Sequence, residues 1–201
     1  MAEEKTEESV AKRPWYVAVA LVAMALMGFN SCGDGVINVS IYRGVPFDAG
    51  GFRASDRAAA ELLFARVLDT FDAVRRLAFP LSAAAMVVGT AMAALALAAL
   101  VLRRATPQLL SQVLVVHAAV FAASAVVTQK PRLALYELAA FTKMSNADSD
   151  SQRQAIAGAY RLGPASMYIA PGLETAVTLA ILFALNRKRA AAAFVAVESE
   201  A

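Results

Sequence analysis

The chain has 201 residues, of which 59% are hydrophobic and 17% charged, with a formal net charge of +3. A soluble domain carries roughly 45–50% apolar residues even with glycine counted, so this excess points to a bilayer as partner. The basic balance does not point to nucleic acid. Its lysines and arginines sit as short flanks of apolar runs, with no basic stripe and no recognition motif. One cysteine, Cys32, and one histidine, His117, exclude an intrachain disulfide, a closed Cys/His zinc site and a Cys-x-x-Cys-His haem attachment. No cofactor is predicted.

Residues 1–13 are polar and mixed in charge, with Glu3, Glu4, Glu7 and Glu8 ahead of Lys12 and Arg13, and read as a mobile lead-in. Pro14 suits the first turn of a helix, and Trp15 and Tyr16 belong at a lipid–water boundary. A first transmembrane helix is predicted over about 14–30, its apolar run Val17–Phe29 ending at Asn30-Ser31-Cys32-Gly33-Asp34-Gly35. Ser31-Cys32 is weakly similar to the end of a lipoprotein signal. Phe29, Asn30 and the acidic N-terminus fit an uncleaved anchor better.

Residues 33–76 read as a first large loop. Within it Ile37, Val39 and Ile41 alternate with Asn38 and Ser40, the period of a short strand or extended segment, and Gly44–Gly51 is a turn region. Ser55 is placed to cap a helix running into Arg76, with Leu62, Leu63, Val67, Phe71 and Val74 as its apolar stripe. Arg57/Glu61 and Asp72/Arg76 stand at i,i+4 spacing. That helix is expected to run almost continuously into the next, with Pro80 marking a bend.

The second transmembrane helix is predicted over 79–102 and the third over 107–128, joined by a short loop carrying Arg103 and Arg104. About 20 residues at about 1.5 Å each cross a hydrocarbon core of roughly 30 Å. So short a loop makes the two helices antiparallel neighbours. Ala85, Gly89 and Ala93 form a small-residue groove that lets another backbone approach closely. A second outer loop, 129–162, holds an amphipathic stretch from Pro131 to Phe141, a polar turn Ser145–Ser151 and a helical segment Gln152–Arg161. After Gly163-Pro164 the fourth helix spans 164–186, loosened at Pro171-Gly172 and stopped by Arg187-Lys188-Arg189, with a frayed alanine-rich tail beyond.

The predicted fold is therefore all-α: a single four-helix transmembrane bundle over 1–201, with two extracytoplasmic loops containing amphipathic helical segments. Lys and Arg number 3 before the first helix, 2 in the short loop and 3 after the fourth, against 6 and 5 in the long loops. The first group is the denser, packed into about 35 residues against about 85, and short segments near helix ends dominate orientation. Both termini are expected in the cytoplasm. The alanine and arginine usage suggests a bacterial inner membrane.

Three helices carry a polar residue near mid-depth. At about 1.5 Å per residue, His117 lies about 13 Å from the hairpin end of its helix and Glu174 about 18 Å from Asn186. Thr90 is at comparable depth, and Thr178 is one turn below Glu174. Phe121, Ser124 and Thr128 share the His117 face. An ionisable residue inside a membrane is costly and faces protein or water. The candidate intramembrane site is therefore a His117–Glu174 pair, hydrogen-bonded to Thr90 or Thr178, that takes up or passes a proton. The competing reading has Pro171 open the helix, leaving Glu174 neutral or water-exposed near the outer interface and His117 a satisfied hydrogen-bonding group. Met24, Met27 and Cys32 resemble a soft-metal set but read as packing residues, and no catalytic motif is present.

Three functions follow. The leading one is a non-enzymatic accessory, scaffold or assembly subunit acting by contact, with other membrane subunits or its own copies as partners besides lipid. The second is a small oligomeric transporter or proton-linked channel using His117 and Glu174. The third is a membrane enzyme or redox component, which a lone histidine limits in ligands.

Overall fold

In a computed structural model the described residues are 14–43, 54–102, 106–161, 163–188 and 190, and no strand occurs among them. Helix α1 spans Trp15–Tyr42. Helix α2 spans Arg57–Leu97 and continues as a π-helical turn over Ala98–Leu102. Then come α3, Pro107–Val127; α4, Gln129–Ser145; α5, Asp150–Arg161; and α6, Gly163–Leu185. Four stretches are long and apolar enough to cross a membrane: Trp15–Tyr42, Arg57–Val101, Pro107–Val127 and Tyr168–Leu185. Large apolar side chains such as Leu26, Val87, Val101, Val126 and Phe183 are exposed on their outer faces. A surface of that kind suits hydrocarbon better than water. The chain is an all-helical, multi-pass membrane protein.

Helices α1 and α2 are antiparallel and pack backbone to backbone. A Cβ on Gly28 would lie 2.6 Å from the Gly89 carbonyl oxygen and 2.7 Å from the Ala93 nitrogen. A Cβ on Gly89 would meet the Gly28 carbonyl oxygen at 2.7 Å and the Cys32 nitrogen at 2.8 Å. The Ser31 hydroxyl donates to the Ala85 carbonyl at 3.3 Å in the same seam. The groove of Ala85, Gly89 and Ala93 is thus filled by the chain's own α1.

At one end, the hairpin end, lie Tyr16, Thr106 and Arg187, whose guanidinium stands 5.7 Å from the Tyr16 ring centre. The core there is apolar, with Val17, Leu21, Met24, Met92, Leu110, Leu114, Ile181 and Leu185 buried together. At the other, the loop end, α4 packs on the first turns of α2 through Val67, Ala134 and Leu138, with Leu63, Phe64 and Phe71 beside them.

Several expectations are overturned. The first helix does not stop near residue 30, and Val36–Tyr42 is neither strand nor extended: α1 is unbroken to Tyr42. Gly35 is a close-approach residue, since a Cβ there would lie 2.7 Å from the Met86 nitrogen. The alternating pattern yields because Tyr42 is buried while Ile37 is 60% exposed. Residues 33–76 are therefore mostly helix, and the expected glycine turn at 44–51 lies outside the described residues.

Asp56, not Ser55, caps α2, its carboxylate accepting from the Ala59 nitrogen at 3.1 Å. Ser55 instead donates its hydroxyl to the Ser145 carbonyl at 2.6 Å, tying the start of α2 to the end of α4. Arg57 and Glu61 pair at 2.9 Å. Asp72 pairs with Arg75 at 3.9 Å and not with Arg76, while the Arg75 Nε donates to the Tyr42 carbonyl at 2.7 Å. Leu62 turns away from the stripe and is 75% exposed. Pro80 lies inside α2 without ending it.

The second loop folds as expected into two helices, α4 and α5, around a turn at 146–149. Helix α6 begins at Gly163 and takes Pro171 into its interior, so Pro171 does not open the helix. Residues 1–13, Arg103-Arg104 and the tail beyond 190 lie outside the described residues.

The α1–α2 seam generates a first prediction. Gly89→Leu overpacks a backbone contact and is expected to cost about 1–3 kcal/mol, read as a lower melting temperature of purified protein in detergent. Gly33, with open space around its Cβ direction, is the control: Gly33→Ala should leave stability unchanged or raise it by up to about 1 kcal/mol.

Candidate functional site

His117 points into the bundle from α3 and is 1% exposed. Its ring stacks on Phe121, one turn on, at 6.4 Å between ring centres. From α6 the half-buried Glu174 brings its Oε1 to 3.7 Å from His117 Nε2. That is an ion-pair distance, too long for a hydrogen bond. Neither His117 nitrogen has a hydrogen-bond partner, and the buried Ser124 hydroxyl also lacks one. Buried polar atoms are paired in the great majority of cases, which sets these three apart from the other buried polar atoms at this level.

Above the pair, toward the loop end, lies a polar cleft of about 40 Å³. A water needs roughly 10–15 Å³ on that measure. Helix α1 lines it with Asn30, Ser31, Asp34 and Asn38, α2 with Ser82, α3 with Ser124 and Thr128, α4 with Arg132, and α6 with Glu174. Asn30, Asp34 and Asn38 stand four residues apart and form one polar stripe on α1. The Asn30 amide donates to Asp34 Oδ2 at 3.4 Å.

Helix direction brings the two acids together. Side chains tilt toward their helix's N-terminus, so Asp34 on α1 leans toward the hairpin end and Glu174 on antiparallel α6 leans toward the loop end. Below His117, toward the hairpin end, lies the apolar core.

Of the residues singled out from sequence, His117 and Glu174 come together, and Thr178 is buried one turn below Glu174. Thr90 does not join them. Its hydroxyl bonds the Met86 carbonyl at 2.8 Å and stands 3.3 Å from Cys32 Sγ, on the α1 side of α2. Phe121, Ser124 and Thr128 line the cleft, as their shared face with His117 predicts. Met24 is fully buried in the apolar core. Among the described residues no three His, Cys, Asp or Glu side chains converge as a metal-binding set.

Sequence reasoning missed Asn30, Asp34, Asn38, Ser82 and Arg132. Their signal was the i,i+4 spacing on α1, hidden by treating Gly33 and Gly35 as turn residues. Comparison with known proteins finds no match: no family model, curated protein or solved structure aligns significantly with the chain.

Access to the cleft is open to chemical test. In a Cys32→Ser background, Asn38→Cys, on the α1 wall of the cleft, should react with a small hydrophilic maleimide, because thiol reactivity needs solvent access and thiolate. Leu114→Cys, in the apolar core below His117, should stay unlabelled. Equal labelling of Leu114→Cys would show that the core is not closed.

Proposed function

We propose that this multi-pass membrane protein is non-enzymatic and works through the cleft, with His117 and Glu174 taking up and releasing a proton on its open side. The observation that carries this reading is a fully buried histidine without a hydrogen-bond partner, 3.7 Å from a carboxylate that itself lines a polar cavity. Histidine and glutamate have two protonation states each, and charge inside a membrane is costly enough to tie those states to their surroundings. A proton shared by the two replaces a lone charge with a neutralised pair. Asp34 and Arg132 at the mouth and Ser82, Ser124 and Thr128 along the walls give it a hydrated approach. The closed apolar end supports exchange with one compartment in this conformation, with any transfer across the membrane requiring a rearrangement of the helices.

The orientation we propose puts the hairpin end, with Arg187 and Lys188, in the cytoplasm and the cleft on the outer side of a bacterial inner membrane, by the positive-inside rule. On intact cells a membrane-impermeant maleimide should then reach Asn38→Cys (again in Cys32→Ser) but not Arg187→Cys.

A second reading, an accessory or scaffold subunit, draws on the loop end. There the first turns of α2 project with α4 and α5, leaving Leu62 and Leu77 exposed. The groove once available to a partner helix is filled by α1, which removes part of that reading's support. A stoichiometric companion after gentle-detergent purification would favour it.

Proton exchange has a direct readout. After a pH jump on lightly buffered, purified protein, wild type should take up protons that Glu174→Gln does not, and a protonated-carboxyl infrared band should vanish in that variant. Identical uptake and an unchanged band in a folded Glu174→Gln protein would end the proposal.

A further inference from the structure

Charge in the cleft does not balance. Asp34 from α1 and Glu174 from α6 face Arg132 from α4, while α2 contributes only the uncharged Ser82 and Ala85, and α3 contributes Ser124, Thr128 and, below them, His117. Two carboxylates against one guanidinium leave one negative charge, apart from the histidine. Arg132 and Asp34 are both exposed at the mouth, whereas the Glu174 side chain is only 22% exposed and lies deepest. The deep carboxylate is thus the group most in need of a counter-charge. His117 does not close on it with a hydrogen bond, because 3.7 Å is too long.

The donors around that carboxylate are hard oxygens. Asn30, which also lines the cleft, gives its amide hydrogen to Asp34 Oδ2 at 3.4 Å. Ser124 contributes a buried hydroxyl with no partner. Oxygen donors of this kind suit hard cations, while transition metals prefer the imidazole and thiolate clusters that are not assembled here. The surplus of one negative charge selects a monovalent ion over a divalent one. A space of about 40 Å³ admits a small ion with water but not an organic solute.

We propose that the cleft binds a small monovalent metal cation between Glu174 and Asp34, in exchange for the proton held at the His117–Glu174 pair. The inference rests on the proton-handling reading and names the ion that competes with it. With the proton bound, the pair is neutralised from within; with the cation bound, Glu174 is neutralised from the cleft and the proton leaves to water. Entry of one cation and departure of one proton conserve charge, and no bond other than that to the proton is broken.

Sodium chloride is the probe, added to purified full-length protein in lightly buffered detergent at constant pH, with choline chloride at equal ionic strength as reference. The expected result is release of up to one proton per chain with sodium and none with choline. Glu174→Gln should abolish the release, and Asp34→Asn should shift half-saturation to at least about tenfold higher sodium. Asp148→Asn, at an exposed site beyond α4, should behave as wild type. Should Asp34→Asn fail to fold, sodium-dependent proton release by wild type against choline decides alone. Absence of release by sodium and by potassium chloride alike, from a protein that still shows Glu174-dependent uptake in a pH jump, overturns the cation site and leaves the proton reading intact. Absence of both overturns both. Release by potassium but not sodium would keep the site and change its selectivity.

Discussion

The backbone contact between Gly28 on α1 and Gly89 on α2 is the constraint on which the rest of the bundle depends. Within a membrane, helices gain little from hiding apolar surface, because lipid tails are as apolar as leucine. Close packing of backbones and interhelical hydrogen bonds take over as the attractive terms. Glycine against glycine, with Ala93 and Ser31 alongside, gives α1 and α2 that packing over several turns. The seam also sets register. With Gly28 fixed opposite Gly89 and Gly35 against Met86, the stripe of Asn30, Asp34 and Asn38 borders the cleft it shares with α3 and α6, while Asn30 and Asp34 keep exposed surface. Amides and a carboxylate are costly in hydrocarbon, and the cleft gives them polar neighbours.

The asymmetry along the bundle axis follows from how apolar and polar side chains are divided along each helix. Toward the hairpin end α1, α2, α3 and α6 supply leucine, methionine, valine and isoleucine, and they close on one another. Toward the loop end the same four helices supply asparagine, serine, threonine and acids, which cannot pack dry without losing hydrogen bonds. The boundary falls at His117. Its ring stacks on Phe121, which lines the cleft, and its Nε2 stands 3.7 Å from the Glu174 carboxylate. A bundle stabilised by packing alone would place leucine at this boundary.

Much of the architecture is legible in the sequence, and the largest failure has one cause. Long apolar runs fix α3 and α6 within a residue at each end, since run length and the Thr106-Pro107 start at α3 leave little choice. The depth of His117 and Glu174 follows from helical rise alone, which is why their proximity was predictable. The error lay in α1. Gly33 and Gly35 are turn residues by local preference, yet in a membrane helix glycine permits close approach, and here tertiary contact with Met86 overrides that preference. One misread glycine pair hid Asp34, Asn38 and with them most of the cleft wall. Thr90 was misplaced for a different reason: depth along a helix says nothing about azimuth, and the face of α2 bearing Thr90 is turned toward Cys32.

The energetics of the pair bear on the proton reading. Burying an ionisable pair costs more in desolvation than a loose contact returns, and replacing such a pair by apolar residues is often neutral or stabilising. The His117–Glu174 contact is loose by that standard, with both imidazole nitrogens unpartnered and one carboxylate oxygen at 3.7 Å. If its role were to hold α3 to α6, leucines at both positions would do it better. The proposed role suits such a pair: a tight, fully hydrogen-bonded one would resist giving up its proton, whereas a loose one beside a cleft large enough for water would exchange it readily. Looseness here is the property that function would select, and it is confined to the one level of the bundle where the polar wall and the apolar core meet.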